Sequence, residues 1–154
     1  NTPLRGAKGQ MFEGGLRVPC IIRWPRRVPA GKTNDAFLTT LEILPTLLQA
    51  SQVKPPQDII LDGFDLLPVL RGEKPSARQT MFWQRRHDKG ARVGDWKWVD
   101  SNRGSGLFNL KTDIGEQQDL SATHPEKLKL LKQHFARWKK QMDAAEPRGP
   151  FRDF

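Results

Sequence analysis

The sequence predicts a chain of mixed class, α/β and α+β, that ends in a small four-stranded antiparallel sheet packed against a C-terminal helix. Three observations carry this. Leu128, Leu131, Phe135, Trp138 and Met142 recur at spacings of three and four, which marks one face of an amphipathic helix. Four short segments rich in aromatic and β-branched residues precede it: TMFWQRR, ARV, WKWV and GLFNL. Upstream of these, one apolar run between prolines is followed by a leucine-rich segment with a helix-start signal.

Taken in order, residues 1–17 are polar and Gly-rich and read as a loop. VPCIIRW, residues 18–24, has the length and β-branched content of a buried strand, with Cys20 as a small core residue. PRRVPAGKTND is a turn-rich connector. TTLEILPTLLQAS, residues 39–51, reads as a helix in which Thr39 and Glu42 have capping-box spacing and Leu41, Leu44 and Leu48 share a face. Pro45 lacks an N–H, so it belongs in the first turn of that helix. LDGFDLLPVLRGE, residues 61–73, gives an Asp-Gly turn and a short apolar helical turn. The composition changes at EKPSAR, where a boundary between two domains is expected. The four strands are adjacent in sequence, with Gly94-Asp95 as a hairpin turn, so a meander is the natural pairing. Thr123, Glu126 and Pro125 predict a second capped helix start. That helix should lie across the sheet by its apolar stripe, with Lys127, Lys129, Lys132, Lys139 and Lys140 on its other face. The tail EPRGPFRDF is expected to be poorly ordered unless it docks.

Five Trp, eight Phe and 36% hydrophobic residues in 154 argue against a disordered chain. The net charge of +9 favours an anionic partner. Nucleic acid, a sulfated or phosphorylated substrate and an anionic membrane surface satisfy it equally. One cysteine excludes a disulfide within the chain. No apolar stretch is long enough to span a bilayer. A chain that starts at Asn1 is expected to be an excised piece or a processed product.

Chemistry is concentrated at LRGAKGQMFEGGLRVP, residues 4–19. Lys8 stands among glycines directly ahead of the apolar run. It reads either as a solvated loop lysine or as a lysine aimed at a bound anion. Gly6 and Gly9 would allow close backbone approach. Arg5 either lines the same site or pairs with Glu13 to fix the loop. Glu13, Gly14 and Gly15 shape the turn. Asp62, Asp65 and Asp95 are scattered at turn positions and read as turn formers, not as ligands of a hard cation. No two histidines have metal-ligand spacing. His87 lies in the basic stretch WQRRHDKG, beside Arg85, Arg86 and Lys89. That stretch is either an exposed hairpin loop or a place for leaving-group anions.

Five blocks of this sequence resemble type I sulfatases, the arylsulfatase-like members of the alkaline phosphatase superfamily, in the family's own order. NTPLRGAKGQMFEGGLRVPCIIRWPRRVPAG is similar to the segment running through Leu-Arg-Gly-Gly-Lys-Gly and Glu-Gly-Gly-x-Arg-Val-Pro. TLEILPTLLQAS looks like the helix that follows. LDGFDLLPVLRGE, ARVGDWKWV and LFNLKTDIGEQQDLS resemble the three later blocks, so the likeness covers most of residues 1–142. Ala7 departs from the usual second glycine, Asn109 from Asp and Ile114 from Pro. The resemblance implies that residues 1–75 end an α/β sulfatase domain and that 76–154 form the small sheet-plus-helix subdomain.

It further implies that Lys8 reaches the substrate's sulfate as the catalytic contact. Arg5 and His87 are then candidate substrate contacts. Cys20 lacks the Cys-x-Pro-Ser-Arg or Cys-x-Ala-x-Arg context of the family's formylglycine, and the family's calcium-binding Asp pairs are absent. No metal site is therefore expected in this chain, while calcium and formylglycine are expected in a full-length member. The expected function is the C-terminal part of a sulfate ester hydrolase, inactive alone, whose partners are a sulfate ester and the N-terminal part of the same protein, with no nucleic acid and no membrane. A related phosphate ester hydrolase and a basic polyanion-binding module are the alternatives. The resemblance alone suggests a periplasmic or extracellular location.

Overall fold

In register across the strands, Phe82, Ala91, Trp98 and Leu107 form one row. Side chains alternate between sheet faces with a period of two, so this row belongs to a single face. The strands are β1 (Thr80–Arg85), β2 (Asp88–Val93), β3 (Trp96–Ser101) and β4 (Gly104–Asn109), antiparallel and in sequence order. The computed structural model describes residues 1–55 and 57–145. The expectation for the tail EPRGPFRDF falls outside them. The chain divides into two units, one of Asn1–Val18 with the chain from Thr80 onward, the other of Pro19–Gln79.

In the first unit, helix α4 (Pro125–Ala144) covers the face that carries Trp98 and Leu107. Leu131 and Phe135 are its buried residues, with Leu128 and Trp138 packed beside them. Each fully buried side chain of this size contributes about 1.5–3 kcal/mol. Phe82 stacks on Trp138 at 5.6 Å and Trp98 meets Phe135 edge-on at 5.5 Å. The expected stripe stops short of its end, because Met142 is 48% exposed. The expected capping box does not form. His124 is the N-cap, Pro125 occupies the first turn, and the Thr123 hydroxyl donates instead to the Leu120 carbonyl.

The opposite face carries the row of Met81, Arg92, Lys97 and Phe108 and the row of Trp83, Gly90, Val99 and Gly106. Met11 and Phe12 pack there against Val99, Phe108 and Leu110, so the opening segment serves as the second cover of the sheet. Trp83 needs space on this face, and its cross-strand neighbour is Gly90. A Cβ on Gly90 would lie 3.4 Å from the Trp83 ring and 3.7 Å from Met11. Strands β2, β3 and β4 are longer than expected. The turn at Arg86 and His87, with Arg86 at φ +55°, carries no Gly or Asn signal, so the sequence hides where β2 begins.

In the second unit, Thr39 and Glu42 form the expected capping box ahead of a 3₁₀ turn (Thr40–Glu42) and α2 (Ile43–Ser51), with Pro45 in the first turn. The expected leucine face is not the buried one. Leu44 is 54% exposed, whereas Glu42 and Thr46 are buried. Their polar groups are satisfied. The Glu42 carboxylate accepts from the Thr39 N–H and pairs with the Arg78 guanidinium. The Thr46 hydroxyl donates to the Glu42 carbonyl at 2.6 Å and accepts from the Leu66 N–H at 2.9 Å. The short α3 (Leu67–Leu70) follows, its Leu67 N–H bonded to Asp65 Oδ1 at 3.0 Å.

The strand expected at 18–24 is absent. A strand requires a partner for its N–H and C=O groups, and no other segment of the described residues pairs with VPCIIRW. Cys20 is accordingly exposed rather than in a core, and Ile21 is 94% exposed. No helix among the described residues is long and apolar enough to cross a membrane.

Candidate functional site

The loop bearing Lys8 is closed at its base. The Gly14 N–H donates to the Arg5 carbonyl at 2.7 Å, and the Asn1 amide donates to the carbonyls of Gly6 and Gly14 at 3.1 and 3.0 Å. Gly6 and Gly9 stand at φ +82° and +85°, a region that side-chain-bearing residues avoid. These two glycines flank the short turn in which Lys8 sits. Gly14 and Gly15 are required for a different reason. A Cβ on Gly14 would fall 2.5 Å from the Arg5 and Gly6 carbonyl oxygens, and one on Gly15 would fall 2.2 Å from the Gln10 carbonyl oxygen. The loop folds back onto a backbone that has no room for side chains. Residues Glu13–Leu16 form one helical turn, α1.

Below this loop lies a cluster of buried charges. Lys97 on β3 is fully buried, and its ammonium stands 2.8 Å from Glu13 Oε1 and 2.8 Å from Glu116 Oε1. Glu116 is fully buried too, and Glu13 is 5% exposed. The other Glu116 carboxylate oxygen accepts the Glu13 backbone N–H. Burial pushes the Glu116 carboxyl above the usual carboxylate range, and the Lys97 ammonium opposes the shift. Arg92, whose pKa burial lowers, feels the Glu13 carboxylate from β2.

Arg5 does not pair with Glu13. Its Nη1 donates to the Glu116 carbonyl at 2.9 Å, and its guanidinium lies 4.0 Å above the Phe12 ring. Lys8 is exposed and makes no hydrogen bond or ion pair with the described residues. The next residue, Gly9, accepts a 3.3 Å bond from Arg85 Nη1 at the end of β1. This ties the Lys8 turn to the hairpin whose tip holds His87, which is exposed. Beside Gly9 runs an open groove of about 400 Å³, lined in part by Met11, Trp83, Arg85 and Trp138. Trp83, Trp96, Trp98 and Trp138 all pack into the sheet's two cores, so they do not stand free as stacking platforms for bases.

The described residues gather no group of three or more His, Cys, Asp or Glu. Calcium, a hard cation needing several converging oxygens, therefore finds no fit among them. Cys20, in the run Cys20-Ile21-Ile22-Arg23, does not fit a formylglycine position either.

Sequence reasoning assigned Glu13 to turn shaping and passed over Lys97 and Glu116. A signal existed. In WKWV, Trp98 faces one side of the sheet, so Lys97 and Val99 share the other. A lysine on a covered face needs carboxylates.

The family model described as "N-sulphoglucosamine sulphohydrolase, C-terminal" matches residues 7–142. The chain belongs to the sulfatase family. Human arylsulfatase A is 31% identical over a stretch covering 96% of this chain and 35% of that protein. Mouse steryl-sulfatase is 40% identical over 73 residues, 47% of this chain and 12% of that protein. Among solved structures, Ps i-CgsB in complex with k-i-k-neocarrahexaose matches with a TM-score of 0.79 at 29% identity, over 90% of this chain and 32% of the other. A second structure, bound to its substrate D-glucosamine-2-N,6-O-disulfate, matches with a TM-score of 0.61 at 26% identity, over 82% of this chain and 29% of the other. This sulfatase chain thus spans about a third or less of the relatives it matches. Its strand meander and helix belong to the same fold as theirs.

Proposed function

We propose that this chain is the C-terminal part of a sulfate ester hydrolase and that it supplies Lys8 to a site completed by the rest of that protein. The observation that carries the reading is the state of Lys8. It is an exposed ammonium without a partner among the described residues, on a turn whose roots are fixed at Arg5 and Glu13. A cation on an anchored turn, without a carboxylate of its own, is available to an external anion. As the ester S–O bond breaks, charge grows on the sulfate and leaving-group oxygens. A fixed ammonium within hydrogen-bonding reach stabilises that charge more in the transition state than in the ground state, and it costs no reorganisation at that moment.

The other parts follow from this. Arg5 acts by fixing the loop, since its guanidinium is already engaged. Arg85 borders the same turn through the Gly9 carbonyl, and on this reading it faces the leaving group with His87 from the hairpin tip, the groove beside Gly9 taking its apolar surface. The nucleophile and any calcium ligands belong to the remainder of the protein, as a formylglycine and carboxylates would in a sulfatase. A tetrahedral phosphate ester offers the same oxygens to Lys8, so both esters are to be assayed. In the full-length protein, Lys8→Ala is expected to lower kcat/KM for 4-nitrophenyl sulfate by about 100-fold, the usual scale for a lost oxyanion donor. The melting temperature should hardly move, because the side chain is exposed. Turnover equal to the wild type would remove Lys8 from the site. A larger loss with 4-nitrophenyl phosphate than with the sulfate would assign the phosphate ester instead.

A further inference from the structure

The Glu13–Lys97–Glu116 cluster is an expensive way to hold a sheet and its cover together. Apolar side chains of similar volume do this without desolvating three charges. Glu116 adds a second cost. It stands at φ +51°, where a residue with a side chain is uncommon outside Asn and Asp. Both costs fall on one residue, and that residue touches both roots of the Lys8 loop. Its carbonyl holds Arg5, three residues before Lys8, and its carboxylate holds the Glu13 backbone N–H, five residues after. Lys97 then neutralises the carboxylate from β3, which ties the same point to the rigid centre of the sheet.

We propose that Glu116 is the positioning residue for Lys8, and that it fixes the ammonium by pinning the loop at both ends to one buried point. This inference rests on the reading of Lys8 as the sulfate contact. Glu116 touches no substrate. It acts through Arg5 and Glu13, and the geometry it provides is the distance between the loop's two roots, which the Gly14 to Arg5 backbone bond closes. A shift of about 1 Å in a positioned group can cost on the order of 100-fold in rate, so a loosened loop should be visible in turnover.

The test is a double-mutant cycle in the full-length protein with 4-nitrophenyl sulfate, with rates scaled to the folded fraction. Lys8→Ala, Glu116→Ala and the double variant are compared, with Glu116→Gln as the conservative variant that keeps an acceptor for the Glu13 N–H. Glu116→Ala is expected to lower kcat/KM by about 10-fold. In the Lys8→Ala background it should have no further effect, and Glu116→Gln should restore most of the loss. If Glu116→Ala does not fold, Arg5→Lys removes the guanidinium that donates to the Glu116 carbonyl and lies over Phe12, leaves the Glu116 carboxylate in place, and should show the same dependence on Lys8. Wild-type turnover in Lys8→Ala would overturn the reading of the site itself. A Lys8→Ala loss, with Glu116→Ala either fully active per folded molecule or additive with it, would leave that reading intact and overturn the positioning role.

Discussion

At the scale of single residues, Glu116 makes a prediction about pH. Burial raises its carboxyl above the ordinary range, against the pull of Lys97. A carboxyl whose folded pKa is raised binds its proton more tightly in the folded chain than in the unfolded one. Its contribution is therefore fully present below the unfolded pKa, near about 4.3, and is lost as pH rises through the folded value. The charges facing it are Glu13 and Lys97, with Arg92 reaching Glu13 from β2. Glu116→Gln cannot titrate. The melting temperature of the wild type minus that of Glu116→Gln should fall as pH rises above the ordinary carboxylate range. A difference that grows with pH would mean that Lys97 outweighs burial. This residue also marks a limit of sequence reading. The turn that carries Lys8 was legible because its glycines, Gly6 and Gly9, lie close to it in the chain. The partners of Lys97 come from α1 and from the turn at Glu116, so only the fold brings them together.

At the scale of elements, legibility followed whether an element carries its own partner. Helix α4 satisfies its backbone internally, and its stripe of Leu131 and Phe135 shows in the spacing. The β meander was readable because its strands pair with their sequence neighbours. The segment VPCIIRW has strand composition, but its expected pairing depends on a strand that the described residues do not supply. The opening loop is intermediate. Its glycines were visible, but not that Gly14 and Gly15 are needed for lack of space. Gly14→Ala tests this, because its Cβ would meet two carbonyl oxygens at 2.5 Å. Overpacking of this kind costs about 1–3 kcal/mol, so the melting temperature should drop by several degrees. Gly94→Ala makes the contrast: a Cβ there meets no atom within 4 Å, so only its φ of +58° is strained. Gly14 is not among the positive-φ glycines, so a loss no larger than that of Gly94→Ala would show that the loop relaxes around the added Cβ and that crowding there is mild.

At the scale of the whole molecule, the second unit exposes more apolar surface than a finished domain tolerates. Ile21 and Ile60 are 94% and 91% exposed, and Ile43, Leu44, Leu47 and Val53 are each half-exposed. Scattered single exposures need no explanation; on the proposed reading these side chains are surface made for contact. The matched relatives extend well beyond the length of this chain. On the proposed reading, the rest of a sulfatase covers these residues, and the segment 18–24 pairs as a strand in a sheet begun elsewhere. Ile21 then separates the alternatives. If it is solvent-exposed in the full-length protein, Ile21→Ala changes stability by no more than about 0.5 kcal/mol. If it is buried against the remainder, the same substitution leaves a cavity and costs about 2–5 kcal/mol. We expect the larger value, read as a drop in the melting temperature of the full-length protein. The backbone amides of residues 20–23 should be protected from hydrogen exchange for the same reason, since pairing in a central strand slows exchange and a free extended segment exchanges at once. A small stability change together with fast exchange would mean that this segment stays unpaired in the full-length protein, and the strand assignment would then be wrong for the protein as well as for the chain.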